Sequence, residues 1–270
     1  LFAVMALRWW MLSRALGVRV PGGRALLLYF EAVTFNLVLP GSVGGEVLRV
    51  WRTTRLVGRL RRNIAAVLFE RFGNIGFLLL LVAGWAALEL TEDEATRLSG
   101  LAAIALVVLA ATSLLRWALR LGARWRRLRA VREIWRFGWL IRRRFFRPRT
   151  LLLFLALSLS VYGMASLAAA ASLQATGTGG LGPLQIVAVT LVTMAGTAIP
   201  LSIAGTGFRE GAMVLALGFY GVPSDAALAS AFLFSAALFL QAIPGMAIWL
   251  SGSNGRAVHA RGTGDVPRRT

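Results

Sequence analysis

The chain has 270 residues, of which 57% are hydrophobic, and a mean hydropathy of +0.70, and its apolar runs are longer than a soluble core of this size needs. Cysteine is absent and the single histidine, His259, sits in a polar tail, so thiol chemistry, Cys/His zinc sites and histidine general-base catalysis have no residues to work with. The formal charge is +19 and all 30 basic residues are arginine; because they flank apolar segments, they read as topology and anionic-lipid signals of an integral membrane protein, not as a nucleic-acid surface.

In chain order, residues 1–16 form a first apolar span that starts abruptly, without the charged region or cleavage site of a signal peptide, as if a longer protein had been trimmed. Spans of full length follow at 64–90, 98–119, 150–173 and 226–250, where Pro244 reads as a kink. Two segments, 25–39 and 184–199, are too short: as helices they cover about 22 to 24 Å against a hydrocarbon core of about 30 Å. Each ends at a proline, Pro40 or Pro200.

Arginine placement decides how the short segments run, because arginine-rich loops stay in the cytoplasm. Arg14, Arg19 and Arg24 precede the first short segment and Arg49, Arg52, Arg55, Arg59, Arg61 and Arg62 follow it. Both stretches are cytoplasmic only if the segment enters and turns back at Pro40. The acidic loop "ELTEDEATR" then falls outside and the stretch 116–149, with 13 arginines, inside. A second turn at Pro200 leaves "GVPSD" outside and the tail, 251–270, inside. The expected architecture is therefore an all-α, polytopic bundle with two re-entrant, Pro/Gly-broken hairpins in one flippase-like domain: a first half at 1–97, an amphipathic cytoplasmic connector at 116–149 and a second half at 150–250.

The halves also echo each other. "LPGSVGGE" and "IPLSIAGT" share Pro40/Pro200, Ser42/Ser202 and Gly45/Gly205, and each is followed by a glutamate and an arginine. Breaks that enter from opposite sides are the arrangement of an inverted-topology repeat. In the connector, Trp117, Leu121, Trp125, Leu128, Val131 and Trp135 recur at three- and four-residue spacing among arginines, the pattern of a helix lying in the headgroup layer.

Only Glu31, Glu46, Glu70 and Glu210 lie in or beside membrane-depth segments away from loops. A charge at the bilayer centre costs about 2.5 to 3.5 kcal/mol even on insertion scales, so each must face protein, water or a partner charge. Glu46 and Arg49 are spaced to share a helical face, whereas the neighbours Glu70–Arg71 and Arg209–Glu210 diverge by about 100° and need partners elsewhere. The simplest pairing crosses the halves: Glu46 with Arg209, and Glu210 with Arg49 or Arg71. Gly44, Gly45, Gly205 and Gly207 permit close backbone approach, and a helix starting there offers free N–H groups to an anion such as a phosphate. Ser42 and Ser202 are candidate caps, and Asn36 a partner for backbone groups freed at the break. Alternatively, Glu46 and Glu210 themselves occupy the helix N-termini and the glycines serve packing, but packing does not require the charges. The acids of "TEDE" from Thr91 read as a solvated turn rather than the metal-binding loop of a glycosyltransferase.

"YFEAVTFNLVLPGSVGGEVLRVWRTTR", "AAVLFERFGNIGFLLLL" and "IPLSIAGTGFREGAMVLALGFYGVPSDAALASAFL", in this order, resemble the flippase-like membrane domain of the lysylphosphatidylglycerol synthase transmembrane family. The resemblance implies movement of lipids or lipid-linked head groups between leaflets of the bacterial inner membrane. It does not carry the lysyl-transfer reaction, which belongs to a separate soluble domain with no counterpart here. Members often place an aspartate where Glu46 stands and usually have another N-terminal span. The expectation is a non-enzymatic translocase without cofactor, metal or nucleic acid. Its partners are a membrane lipid, anionic or polyprenyl-linked, and an envelope biosynthesis enzyme. Its substrate-binding set is Asn36, Pro40, Ser42, Gly44, Gly45, Glu46, Arg49, Glu70, Arg71, Pro200, Ser202, Gly205, Gly207, Arg209 and Glu210. A scaffold subunit of an envelope complex, or an integral-membrane lipid or glycosyl transferase, are the competing readings.

Overall fold

The computed structural model describes residues 1–38, 44–89, 147–197 and 206–251, all helices and their connections. The two break apices, with Pro40, Ser42, Pro200, Ser202 and Gly205, lie outside the described residues, as do the expected span 98–119, the "TEDE" turn, nearly all of the connector and the tail. Nine helices are described: α1 Phe2–Ala15, α2 Gly22–Val38, α3 Gly44–Val57, α4 Leu60–Glu89, α5 Pro148–Ala175, α6 Pro183–Thr197, α7 Phe208–Gly218, α8 Ser224–Leu240 and α9 Ile243–Leu250.

Local sequence sets their ends. Pro21 precedes α2, and Pro148 and Pro183 open α5 and α6, where the missing N–H costs nothing. Helix α5 closes with Gly177 at φ +70, and the Thr178 N–H returns to the Leu173 carbonyl at 3.0 Å. Between α3 and α4 the chain turns in two residues, Gly58 and Arg59, both at positive φ. The Asn63 side chain ties that turn by donating to Thr54 Oγ1 at 2.8 Å and to the Gly58 carbonyl at 3.0 Å.

Three helical stretches are long and apolar enough to cross a membrane: Leu60–Trp85, Pro148–Ala175 and Ser224–Leu250. They coincide with three of the expected full-length spans. The last is bent: α8 stops at Leu240, and α9 restarts with Pro244 in its first turn. Residues 1–16, expected to span, hold the 14-residue helix α1. Large apolar side chains point outward along these helices, among them Leu152, Leu167, Leu215, Phe219 and Phe232. Water would penalise such a surface and lipid does not, which together with the long apolar helices makes this a membrane protein.

Helix contacts repeat between the halves. In the first, α1 packs on α2, α2 on α3, α3 on α4 and α4 back on α1; in the second, α5, α6, α7 and α8 close the same cycle. Across the seam α1 meets α5, α4 meets α6 and α5, and α9 meets α2; with α9 taken together with α8, exchanging the halves maps α1–α5 onto itself and α4–α6 onto α2 with α8–α9, while α4–α5 stands outside this correspondence. Each half has its own core, around Trp9, Val18 and Leu28 in one and Val189, Met213, Leu217 and Phe234 in the other. Thin seams join them: Leu12 with Phe154, and Leu78 with Tyr162 and Leu191.

Small residues let the closest helices touch. A Cβ at Gly45 would overlap the Ala32 carbonyl of α2, and one at Gly245 the Phe30 carbonyl. One at Gly196 of α6 would lie 2.7 Å from the Phe208 carbonyl of α7. Asn36 faces Gly45 and Glu31 faces Arg52, so α3 runs back alongside α2. We therefore expect Gly245→Ala and Gly196→Ala each to cost roughly 1 to 3 kcal/mol through overpacking. Gly76→Ala and Gly163→Ala, with open space at the Cβ, should be neutral or stabilising in thermal unfolding in detergent.

Candidate functional site

Helix α3 begins at the first break and buries one face, Gly45, Arg49 and Thr53, at four-residue spacing. Helix α4 turns Asn63, Ala66, Val67, Glu70 and Leu78 inward along the neighbouring stripe, with Asn74 on the same face. The two stripes face each other and α1, and polar side chains on all three are buried together.

Glu70 is the hub. Arg49 Nη2 stands 2.9 Å from its Oε2, Arg8 Nη2 3.8 Å from its Oε1, and the Tyr29 hydroxyl donates to Oε1 at 3.3 Å. The Arg49 guanidinium is also held over the rings of Trp9 and Tyr29, at 4.9 and 4.8 Å from their centroids. Arg8, 1% exposed, donates to Asn74 Oδ1 at 2.8 Å and reaches across the seam to Ser158 Oγ on α5 at 3.0 Å. Two further pairs flank the hub. Arg71 Nη1 contacts Glu46 Oε1 at 2.8 Å, and Arg52 Nη1 contacts both oxygens of the buried Glu31, at 2.8 and 2.7 Å.

In the second half Arg209 donates through Nε and Nη2 to Glu210 Oε1, at 3.2 and 3.0 Å. Ser235 bonds both residues, accepting from Arg209 Nε at 3.1 Å and donating to Glu210 Oε1. The other oxygen, Glu210 Oε2, accepts the Gly207 N–H at 2.6 Å and closes the start of α7, where Gly207 holds φ +87.

These groups meet at a cavity of about 320 Å³. Its wall includes Arg8, Asn36, Glu46, Arg49, Glu70 and Arg71 from the first half, and Tyr162, Thr197 and Arg209 from the second. Among the described residues four guanidinium groups line it against two carboxylates; even with Glu210 counted against Arg209, one positive charge is left over in that set. Arg8 Nε and Arg49 Nε are buried here without a hydrogen-bond partner among the described residues. Such a surplus of charge and donors in a low-dielectric wall suits an anion with several acceptor oxygens.

The family model of the lysylphosphatidylglycerol synthase TM region matches residues 1–245. The chain belongs to this family. Neither a curated protein nor a solved structure matches it. The match is to the transmembrane region of the family and ties the chain to membrane-lipid function.

Several site expectations need correction. The cross-half pairs do not form: Glu46 takes Arg71, Arg49 takes Glu70, and Arg209 takes Glu210. Glu46 and Arg49, spaced to pair, turn to different partners on α4. The adjacent Arg209 and Glu210 do satisfy each other, because at a helix start Glu210 folds back towards Gly207 and sweeps its carboxylate past the Arg209 guanidinium. The start of α7 is thus filled by Glu210 instead of being open to a phosphate. At α3, Asn36 Oδ1 accepts the Gly45 N–H at 2.7 Å, one helix turn before the break, as expected for a residue relieving freed backbone groups. Gly44 opens α3, and Glu210 alone of the described acidic and arginine candidates other than Glu31 does not line the cavity.

Sequence reading missed Arg8, Tyr29, Asn74, Ser158 and Tyr162. The signal for Arg8 was present: a lone arginine inside the apolar run "LFAVMALRWW" carries the same insertion cost that singled out the four glutamates. Arg52, used only as a topology marker, is the partner of Glu31.

Glu70→Ala should be the most destabilising of the ion-pair changes, because it strands Arg8 and Arg49 together; about 3 to 5 kcal/mol is expected. Glu46→Ala should cost far less, since the side chains of its pair are 21% and 24% exposed. Thermal unfolding of both variants in one detergent gives the comparison.

Proposed function

We propose that this protein is a flippase-like translocase of the bacterial inner membrane, moving an anionic lipid or lipid-linked head group between leaflets. The observation that carries the proposal is the cavity: it is walled by both halves, it is surrounded by helices with lipid-facing surfaces, and its charged lining has more guanidinium than carboxylate. The phosphate occupies the space between Arg71, Arg49 and Arg209, while the acyl or prenyl chains stay in lipid.

The two four-helix cycles are an inverted-topology repeat, with α2–α3 and α6–α7 as re-entrant hairpins whose breaks approach the midplane from opposite sides. What supports this is the mapping of helix contacts between halves and the arginine balance of the loops, which puts the arginine-rich loops and the C-terminus in the cytoplasm. Rocking of one half against the other then exposes the cavity to each leaflet in turn. Such motion must break the apolar seams around Leu12–Phe154 and Leu78–Tyr162–Leu191 and the Arg8–Ser158 and Thr34–Ala242 hydrogen bonds.

No enzymatic step is assigned to these residues. The chain carries no Gly-rich Lys-Ser/Thr nucleotide loop, so the free energy comes from a gradient, a partner enzyme of envelope synthesis or downhill flow.

A leaflet-asymmetry assay on the purified chain in proteoliposomes tests this. Wild type should move a labelled anionic lipid, and Arg71→Gln and Arg209→Ala should each slow it roughly tenfold, about 1.4 kcal/mol of lost transition-state interaction. Arg71→Glu combined with Glu46→Arg should recover part of the loss in folding and activity. Absence of transport by well-folded wild type would favour the scaffold reading, and turnover of the lipid into a new species the transferase.

A further inference from the structure

Helix α3 has a second face. Val47, Trp51 and Arg55 stand at four-residue intervals and are exposed, Val47 by 62% and Trp51 by 48%, on the side away from Gly45, Arg49 and Thr53. Over about 12 Å of helix this face passes from aliphatic to indole to guanidinium, the order in which a leaflet passes from hydrocarbon through its boundary to phosphate. Arg55 lies over the Trp51 ring at 4.2 Å, which fixes the charge at the level of the boundary indole. The Arg55 end of α3 is therefore the surface end and the Glu46 end the deep one.

From Arg55 inward the arginines continue at three-residue steps, each about 4.5 Å along the axis. Arg55 is exposed, the Arg52 side chain is 20% exposed against Glu31, and the Arg49 side chain is 6% exposed against Glu70 at the cavity. Side chains three apart turn by about 60° around the helix, so the row winds from the lipid-facing side into the cavity wall. Topology alone asks for positive charge near the surface, not for guanidinium groups that follow one helix into the membrane with a buried carboxylate behind each inner one.

We propose that this face of α3 is a docking site for an anionic phospholipid, with the phosphate at Arg55 and one acyl chain along Trp51 and Val47, and that Arg52 and Arg49 hand the head group to the cavity. Charge complementarity selects the occupant: the exposed charge on this face is positive, and its apolar part suits a chain. The handover to the cavity rests on the translocase reading; the docking does not.

The full chain is placed in phosphatidylcholine vesicles containing a minority of phosphatidylglycerol, with either lipid brominated in turn, and quenching of Trp51 is read as the difference between wild type and Trp51→Phe. Brominated phosphatidylglycerol should quench more than its share of the bilayer by roughly fivefold, the contribution of one surface arginine. Arg55→Gln should abolish the excess and Arg55→Lys retain it. Quenching in proportion to lipid composition, or an excess indifferent to Arg55→Gln, overturns the docking site. In the leaflet assay Arg55→Gln should slow transport at low anionic-lipid content and leave the saturated rate intact. Transport unaffected by Arg55→Gln at every composition overturns the handover while the translocase stands. Arg55-dependent enrichment without any transport leaves the docking site standing and removes both the handover and the translocase.

Discussion

A guanidinium or a carboxylate cannot be left alone where there is no water, and this requirement organises the first half of the molecule. Glu70 sits on the longest described helix and draws in Arg49 from α3, Arg8 from α1 and the Tyr29 hydroxyl from α2. Four helices are thereby tied at one depth by one side chain. Burying each ion costs several kcal/mol, which close contact in low dielectric offsets only when remaining donors are also used. Asn74, Ser158 and the rings of Trp9, Tyr29 and Phe154 provide that second layer of contacts. The second half solves the same problem with fewer parts, since Arg209, Glu210 and Ser235 form a closed triad at the start of α7.

Helices tied by charges must also approach closely, and here glycine is required by the geometry. With lipid tails as apolar as leucine, burial of hydrocarbon gives little drive to associate, and close packing supplies it. Gly45 against Ala32 brings α3 onto α2, and Gly196 against Phe208 brings α6 onto α7. Gly245 does the same between the halves, laying α9 on α2, where the Thr34 hydroxyl reaches the Ala242 carbonyl at 3.0 Å in the bend before α9. A helix of the second half is thereby packed on one of the first.

Most of the helices were legible because hydropathy and length carry them: 64–90 and 150–173 became α4 and α5 nearly as drawn, and the short segments 25–39 and 184–199 lie on α2 and α6 over their described residues. The acidic residues were legible through their insertion cost. Partners were not. A pairing rule based on sequence separation sees only the helix a residue is on, whereas Glu46 and Arg49 each turned to α4, and Arg209 and Glu210 paired because a helix start relaxes the 100° divergence of neighbours in a continuous helix. Arg8 was hidden for another reason: α1 was read for its length, and one charge does not break an apolar run. The 320 Å³ cavity itself is a product of five or more helices and has no signature in any one of them.

The ion pairs are not equivalent, and the difference divides structure from exchange. Arg49 is clamped between two aromatic rings and a carboxylate, with its side chain 6% exposed, so moving it would abandon three interactions at once. Among the described residues Arg71 has one ion-pair partner, Glu46, and both line the cavity with about a fifth to a quarter of their side-chain surface accessible. On the proposed translocase reading, an incoming phosphate replaces Glu46 on Arg71 at little cost, because a charge-assisted bond is lost and another formed. Displacing Glu70 from Arg49 would instead leave a buried carboxylate with only Arg8 at 3.8 Å and the Tyr29 hydroxyl among the described residues. Under that reading the site needs one pair that yields and one that does not, and α4 places them on adjacent residues, Glu70 buried and Arg71 partly exposed.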